Sequence, residues 1–349
     1  MKVLVMMSGG VDSSVAAALL RDEGHEVVGV TLKLWGGESD SGCCSVSDVD
    51  DARRVADRLD LDHHTFNFGA AFADHVVGPY VADHAAGRTP NPCIECNRHI
   101  KFAAVEERAR LLGFDAVATG HHARIVTRPD ETRRIARGAD REKDQSYVLH
   151  MLGQDQLARI LLPVGNLTKA EVRKRATALG LRTAAKPDSQ DACFITKARG
   201  RGTFLGDQIP LTPARVVDRE GTPVGRVEAV ELVTLGQRKG LGLAGGATPR
   251  YVVGIDHATA TVTVGAESDL LVAVQGVAGF RWADAPIAGE VVLQSSAHGR
   301  PEPATVTIDA DEPTAAVVRW AIPQRRVAPG QSVVAYVGDE VVGGGQAVG

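Results

Sequence analysis

Seven residues close to the start of the chain, Ser8-Gly9-Gly10-Val11-Asp12-Ser13-Ser14, constrain the fold most tightly. The run before them, Val3-Leu4-Val5-Met6-Met7, is short, apolar and β-branched, as a buried parallel strand requires. The run after them, Val15 to Leu20, reads as a helix that stops before Gly24. A glycine pair between strand and helix turns the backbone so that its amides face outward. Those amides, the neighbouring hydroxyls and the positive helix end together form an anion pocket. The loop has no Gly-Lys-Ser/Thr ending, so it carries no lysine of its own for terminal phosphates.

The loop resembles the SGGxDS signature of the PP-loop ATP pyrophosphatases, which cleave ATP between the α and β phosphates. That resemblance implies an ATP-consuming enzyme and assigns Met7, Ser8, Gly9, Gly10, Val11, Asp12, Ser13 and Ser14 to the nucleotide. Glu26 to Leu34 then reads as a second parallel strand, which completes a βαβ unit around the loop. Leu32 lies near its C-terminal end, where an adenine would sit, and is equally well explained as core.

At 349 residues the chain exceeds one ordinary domain. Its 44% hydrophobic and 23% charged content is that of a globular protein without a membrane partner. No uncharged run approaches membrane-spanning length and no signal-peptide pattern is seen, so a cytoplasmic protein is expected. A formal charge of −4 gives no global attraction to nucleic acid, but two local runs do better. Lys169 to Arg201 holds nine basic residues against three acidic, and Arg124 to Lys143 holds seven against four. Beside catalytic residues such runs serve as phosphate contacts.

Further along, Val49, Ala52, Val55, Ala56 and Leu59 share one helical face, and His63 to Phe68 reads as a third strand. Residues 72–84 read as a helix kinked at Gly78-Pro79. Gly87 to Pro92 forms a stiff loop that presents Cys93-Ile94-Glu95-Cys96-Asn97, followed by a helix from Ile100 to Leu112. Asp115 to His122 is a strand ending in a polar turn, the edge where open α/β sheets bind ligands. Gly138 to Tyr147 is a charged loop, Gln154 to Ile160 a helix, and Lys169 to Leu179 a helix capped by Thr168 and Glu171. Beyond about residue 203 valine-rich segments alternate with turns, and hairpins are expected at Tyr251–Ile255 with Thr261–Val264 and at Val333–Val337 with Val341–Val342. The fold class expected is therefore α/β: a Rossmann-like parallel sheet over residues 1–202, a small β-rich linker domain over 203–268, and a β-barrel over 269–349.

Five cysteines in such a chain point to catalysis or metal binding more than to a disulfide framework. The Cys93/Cys96 pair alone leaves zinc, a redox disulfide and an iron–sulfur site open. Two cysteines distant in sequence that converge on an ATP-derived leaving group would make a sulfur-transfer site. Cys43 and Cys44 read as small structural or accessory residues.

With the cysteine loops in view, seven stretches resemble the bacterial tRNA-specific 2-thiouridylases and their mitochondrial relatives. They are Ser8–Ser14, Gly87–Asn97, Ala118–His122, Lys143–Tyr147, Asp188–Phe194, Thr234–Gly242 and Pro329–Gln331, in family order along essentially the whole chain. The resemblance implies a sulfurtransferase that uses ATP and Mg²⁺ to adenylate the 2-oxygen of a wobble uridine and replaces the activated oxygen with sulfur. The implied partners are tRNAs with lysine, glutamate and glutamine acceptors and a cysteine desulfurase or sulfur-relay protein. By position Cys96 is the nucleophile and Cys193 the persulfide carrier, with a disulfide between them during turnover. Asn91, Pro92 and Cys93 would face the base; His121, Lys143, Asp144, Gln145 and Gln331 match tRNA-contacting positions; Gly120 and Leu32 match ATP-contacting positions.

Cys93 departs from the better-known members of the family, which carry an aspartate there, and makes a three-cysteine set with Cys96 and Cys193 that is a candidate ligand set for a [4Fe–4S] cluster. No tRNA contact is carried over to Ser295–His298 in the β half. Two other functions fit parts of the chain: another PP-loop adenylating ligase, which leaves the cysteine loops unexplained, and a non-catalytic RNA-binding or iron–sulfur carrier protein.

Overall fold

Val3 and Val5 point to one face of the first strand and Leu4 and Met6 to the other, and each pair joins a different hydrophobic cluster. A computed structural model describes residues 1–35, 46–188, 193–195, 200–243, 248–287, 289–309 and 311–349. The expectations for Cys43, Cys44 and the middle of the Asp188–Phe194 motif lie outside the described residues.

Five parallel strands form the N-terminal sheet: β1 (Lys2–Met6), β2 (Glu26–Lys33), β3 (Asp62–Asn67), β4 (Ala116–Ala118) and β7 (Ile160–Leu161). Their order is β3-β2-β1-β4-β7, so the chain winds outward from β1 and returns to β4 on its other side. The crevice between the C-terminal ends of β1 and β4 is thus the topological switch point. Helices α1 (Val11–Asp22) and α2 (Val46–Leu59) cover one face with the Lys169–Ala178 helix, burying Val15, Val55 and Val172. The opposite face is covered by helical segments over 69–85 and 92–111, through Phe72, Tyr80, Ile94, Ile100 and Phe102. Over Ala73–Val77 and Cys96–Ala104 these helices widen to i→i−5 bonding. The first wide turn ends at Gly78, immediately before Pro79, whose missing N–H the wider spacing accommodates.

Strands β8 (Ala214–Val217), β9 (Pro223–Val227), β10 (Tyr251–Asp256) and β11 (Thr261–Gly265) make a second sheet. Its order is β10-β11-β8-β9, two hairpins joined by a parallel β11–β8 pair. Strands β12 (Leu271–Trp282), β13 (Glu290–Gln294), β14 (Glu302–Ile308), β15 (Ala316–Arg325), β16 (Ser332–Val337) and β17 (Glu340–Ala347) close into a six-stranded antiparallel barrel through a β12–β17 pair. Phe280, Trp320 and Val333 fill it.

The helix expected over Gln154 to Ile160 ends at Leu157, and Ile160 opens β7 instead. A further element was not foreseen. Residues expected only as part of a basic run form a hairpin, β5 (Ala123–Thr127) with β6 (Arg133–Arg137), which adds to the barrel through Ala136 opposite Glu340. The buried Arg134 guanidinium joins Asp284 at 2.7 Å and Glu340 at 3.3 Å. Ile135 also shares a core cluster with Val334, Tyr336 and Val341 of the barrel. The barrel is therefore locked onto the parallel-sheet unit. Among the described residues no helix is long and apolar enough to cross a membrane.

Candidate active site

The nucleotide end is built from the turn after β1. Met7 still follows the sheet, its N–H donating to Val30 O at 2.8 Å and its carbonyl accepting from Thr31 Oγ1 at 2.8 Å. The chain then turns through Gly9, whose φ is +70° and whose Cβ, were there one, would lie 2.2 Å from Asp48 O. The hydroxyls brace the turn: Ser13 Oγ accepts from Ser8 N at 3.2 Å, and Ser14 Oγ donates to Gly10 O at 2.7 Å. No side chain caps α1 at Gly10, which leaves its first-turn amides for an anion. Gly120 closes the crevice from β4. A Cβ there would sit 2.5 Å from Ser13 N and 2.7 Å from Asp12 C, so only glycine lets the two turns touch. Leu32 is buried at the end of β2, on the neighbouring strand.

Around this loop the fold gathers cations from distant positions. Lys169 Nζ donates to both Asp12 oxygens, at 2.8 and 2.7 Å, and lies 2.8 Å from Asp188. His122 Nε2 is 3.0 Å from Asp12 Oδ1. Asp188 also receives Lys143 at 2.9 Å and Arg173 at 2.8 Å. Lys186 Nζ donates to Gly9 O at 2.9 Å and to Asp48 and Asp51 at 2.7 Å each. Burial alone would raise the Asp12 carboxyl; the hydrogen bonds from His122 and Lys169 outweigh it and hold the pKa below its ordinary value. Burial likewise works against Asp188, and the bonds from Lys169 and Lys143 draw it down to about 2. Sequence reasoning placed Lys169 and Lys186 only in a basic run. The one local signal was the capping box of Thr168 and Glu171, which fixes Lys169 as the first residue of its helix.

The sulfur end is presented by the loop after Gly87. Asn91 Oδ1 accepts from Cys93 N at 3.1 Å and so starts the helical run over 92–111. This leaves Cys93 exposed and Cys96 buried at the head of the wide-turn segment. The half-buried Cys193 packs against the same apolar cluster that holds Cys96 and Ile94. The barrel shapes this loop directly: Thr89 N donates to Pro329 O and Gln331 Nε2 to Thr89 O, both at 2.7 Å. Gln331, expected at the tRNA, is thus also a brace for the cysteine loop. Beside Asn91 and Pro92 a cleft of about 250 Å³ is lined by His75, Tyr80, Glu95 and His99, the two imidazoles stacked at 5.1 Å.

Between the two ends runs the Lys143–Tyr147 segment. Lys143 and Gln145 are exposed, and Gln145 is placed by a reciprocal pair with His122: its N donates to His122 O and its Oε1 accepts from His122 N, each at 2.9 Å. Asp144 turns inward, accepting from Gly138 N at 3.0 Å, Ser146 Oγ at 2.8 Å and Arg137 at 2.9 Å. His121 is also buried, 2.7 Å from Thr119 Oγ1, and burial holds its pKa well below the ordinary value so that it stays neutral. Both support the surface from beneath. Tyr147 OH donates to Ser332 O at 2.9 Å, tying the segment to the barrel.

The three-cysteine set does not form a cluster cradle. Among the described residues no three His, Cys, Asp or Glu side chains converge in a metal-holding arrangement. Cys93 is exposed while Cys96 is buried.

Comparison with known proteins covers the whole chain. Residues 1–197 match the family profile described as a tRNA methyl transferase HUP domain, 202–266 its PRC-barrel domain, and 277–347 an aminomethyltransferase β-barrel domain. The chain is 46% identical to the tRNA-specific 2-thiouridylase MnmA of Roseiflexus sp. (strain RS-1), over 99% of this chain and 98% of that protein. It is also 46% identical to the proteins of the same name from Chloroflexus aurantiacus, over 98% and 97%, and from Sorangium cellulosum, over 99% and 91%.

Proposed function

The chain belongs to the tRNA-specific 2-thiouridylase family, and from that membership we propose that it converts the wobble uridine of its tRNA substrates to 2-thiouridine at the expense of ATP. The observation that carries the reading is a braced anion loop at the sheet's switch point in the same domain as two cysteine segments that pack on one apolar cluster. ATP enters with its phosphates over Ser8–Ser14. The uridine 2-oxygen attacks the α phosphorus, the bond to the β-bridging oxygen breaks, and pyrophosphate leaves toward the loop amides, Lys169 and Lys186. Asp12, whose carboxylate now accepts from Lys169 and His122, is the loop residue that would hold a Mg²⁺ arriving on the triphosphate, and the ion would supply charge neutralisation for the leaving group.

The second half replaces the activated oxygen. The terminal sulfur of a persulfide on Cys193 attacks C2 and AMP departs. The Cys96 thiolate then attacks the Cys193 sulfur, breaking the S–S bond and leaving sulfur on the base. The resulting Cys96–Cys193 disulfide is returned to thiols by a thiol reductant, and a cysteine desulfurase or relay protein reloads Cys193. An iron–sulfur cluster is given no step, since the described cysteines do not cradle one.

Incubating the protein with unmodified tRNA, Mg-ATP, cysteine and a cysteine desulfurase, then digesting the tRNA for mass spectrometry, should give 2-thiouridine. Its absence alongside active desulfurase would overturn the assignment. The exposed Lys143 supplies a narrower check. Lys143→Ala is expected to weaken tRNA binding and to reduce the slope of log affinity against log salt by about one. An unchanged slope would mean that Lys143 serves only its ion pair with Asp188.

A further inference from the structure

Phe194 has no part in the chemistry above, yet it is buried while its sequence neighbours Cys193 and Ile195 are only partly so. Only 3% of its surface is exposed, although Cys193 beside it is half-buried. Its ring meets four others: Phe204 at 5.1 Å, Tyr80 at 5.2 Å, Phe72 at 5.8 Å and Trp35 at 6.4 Å. The Tyr80 and Phe72 contacts are edge-to-face, at interplanar angles of 83° and 71°, the geometry in which aromatic quadrupoles attract. The four rings come from three stretches: Trp35 just past β2, Phe72 and Tyr80 on the helical run over 69–85, and Phe204 on the Gly200–Gly206 helix. A residue seated among three stretches fixes its own backbone, and with it the backbone of its neighbour. The same apolar cluster runs on to Ile94 and Cys96.

We infer that Phe194 is a positioning residue for sulfur transfer: its ring, docked between Trp35, Phe72, Tyr80 and Phe204, holds the Cys193 sulfur toward Cys96. The inference rests on the reading of Cys193 as the sulfur carrier. Docking replaces an encounter between two thiols on separate segments by a preset approach, the effect that gives oriented intramolecular reactions their high effective concentrations. The adenylation end is built from other residues. Loss of the docked ring should therefore slow the sulfur step and spare the pyrophosphate step.

The test measures three quantities in Phe194→Ala and Phe194→Leu: tRNA-dependent pyrophosphate release, 2-thiouridine formation, and the rate at which diamide joins Cys96 to Cys193, followed by peptide mass spectrometry. In the last reaction the two thiols lose their hydrogens to the N=N bond of diamide as the S–S bond forms. Phe194→Ala should lower the disulfide rate and thiolation at least about tenfold while pyrophosphate release stays within about twofold. Phe194→Leu, which keeps apolar bulk in the socket, should recover most of the loss. Should Phe194→Ala fail to fold, Phe204→Leu removes the nearest ring and is expected to slow both sulfur readouts about threefold. A disulfide rate unchanged from wild type, or thiolation and pyrophosphate release falling in parallel, would overturn the inference. Cys193→Ser separates the two ideas. A thiolation-active Cys193→Ser variant defeats the carrier reading, whereas an inactive one beside a wild-type-like Phe194→Ala defeats only the docking role.

Discussion

Cys96→Ser is expected to abolish 2-thiouridine formation, by on the order of a thousandfold or more, while tRNA-dependent pyrophosphate release continues. The expectation follows from how the site divides. Lys169, Lys186 and His122 gather on the anion loop through Asp12 and Gly9, and none of these contacts reaches the Cys96 segment. Cys96 instead heads a widened helical segment whose next residue, Asn97, donates to Val148 O at 2.9 Å and so fixes its orientation. Serine is close to cysteine in shape but has no thiolate near neutral pH, so the attack on a persulfide sulfur loses its nucleophile. The substitution buries a hydroxyl where a thiol was, which costs roughly 1–3 kcal/mol if it finds no partner. A thermal melt of the variant therefore accompanies the assay. Parallel loss of pyrophosphate release and thiolation in a folded variant would make Cys96 a structural residue and sink its assignment as the resolving nucleophile.

What was legible in the sequence is what local chemistry determines. The apolar, β-branched run Val3–Met7, the glycine turn, and the capping box at Thr168 and Glu171 each carry their structural meaning within a few residues, and each appears as read. The Tyr251–Asp256 and Thr261–Gly265 hairpin is of the same kind. Lys169 is different, because its partner Asp12 lies 157 positions away and only the return of the sheet to β4 brings the two together. Asp144 reads as one more charge in a charged loop, yet Arg137 and three hydrogen-bond donors turn it inward. The β5–β6 hairpin was invisible because its edge is completed by β17, 204 residues beyond Ala136 at Glu340. Gln331 shows the same limit from the other side. A motif match placed it at the tRNA, while its described bond is to the loop that presents the cysteines.

Lys169→Met should lower pyrophosphate release by roughly a hundredfold, the scale on which one preorganised charge or donor at a leaving group is felt. The loop has no lysine, and Lys169 supplies one from the first turn of its helix, where the capping box prevents fraying. Its ammonium is mostly enclosed and stands between Asp12 and Asp188. Both carboxyls titrate below their ordinary value, Asp188 at about 2. A carboxyl lowered by folding keeps its ion pair fully above the unfolded pKa and loses it only as pH falls through the folded one. The network is therefore intact throughout the neutral range. Methionine in its place removes an attraction for the departing pyrophosphate and leaves two ionised carboxylates facing it with less compensation. Lys169→Arg keeps the charge but not the compact, single-point geometry, so partial recovery is expected. The kinetic split identifies the step: a fall in kcat with little change in the KM for ATP means that the ammonium acts on charge developing in the transition state, whereas a raised KM alone means ground-state binding. Pyrophosphate release within about threefold of wild type would show that Lys169 only restrains Asp12 and that the loop amides and Lys186 suffice for the leaving group.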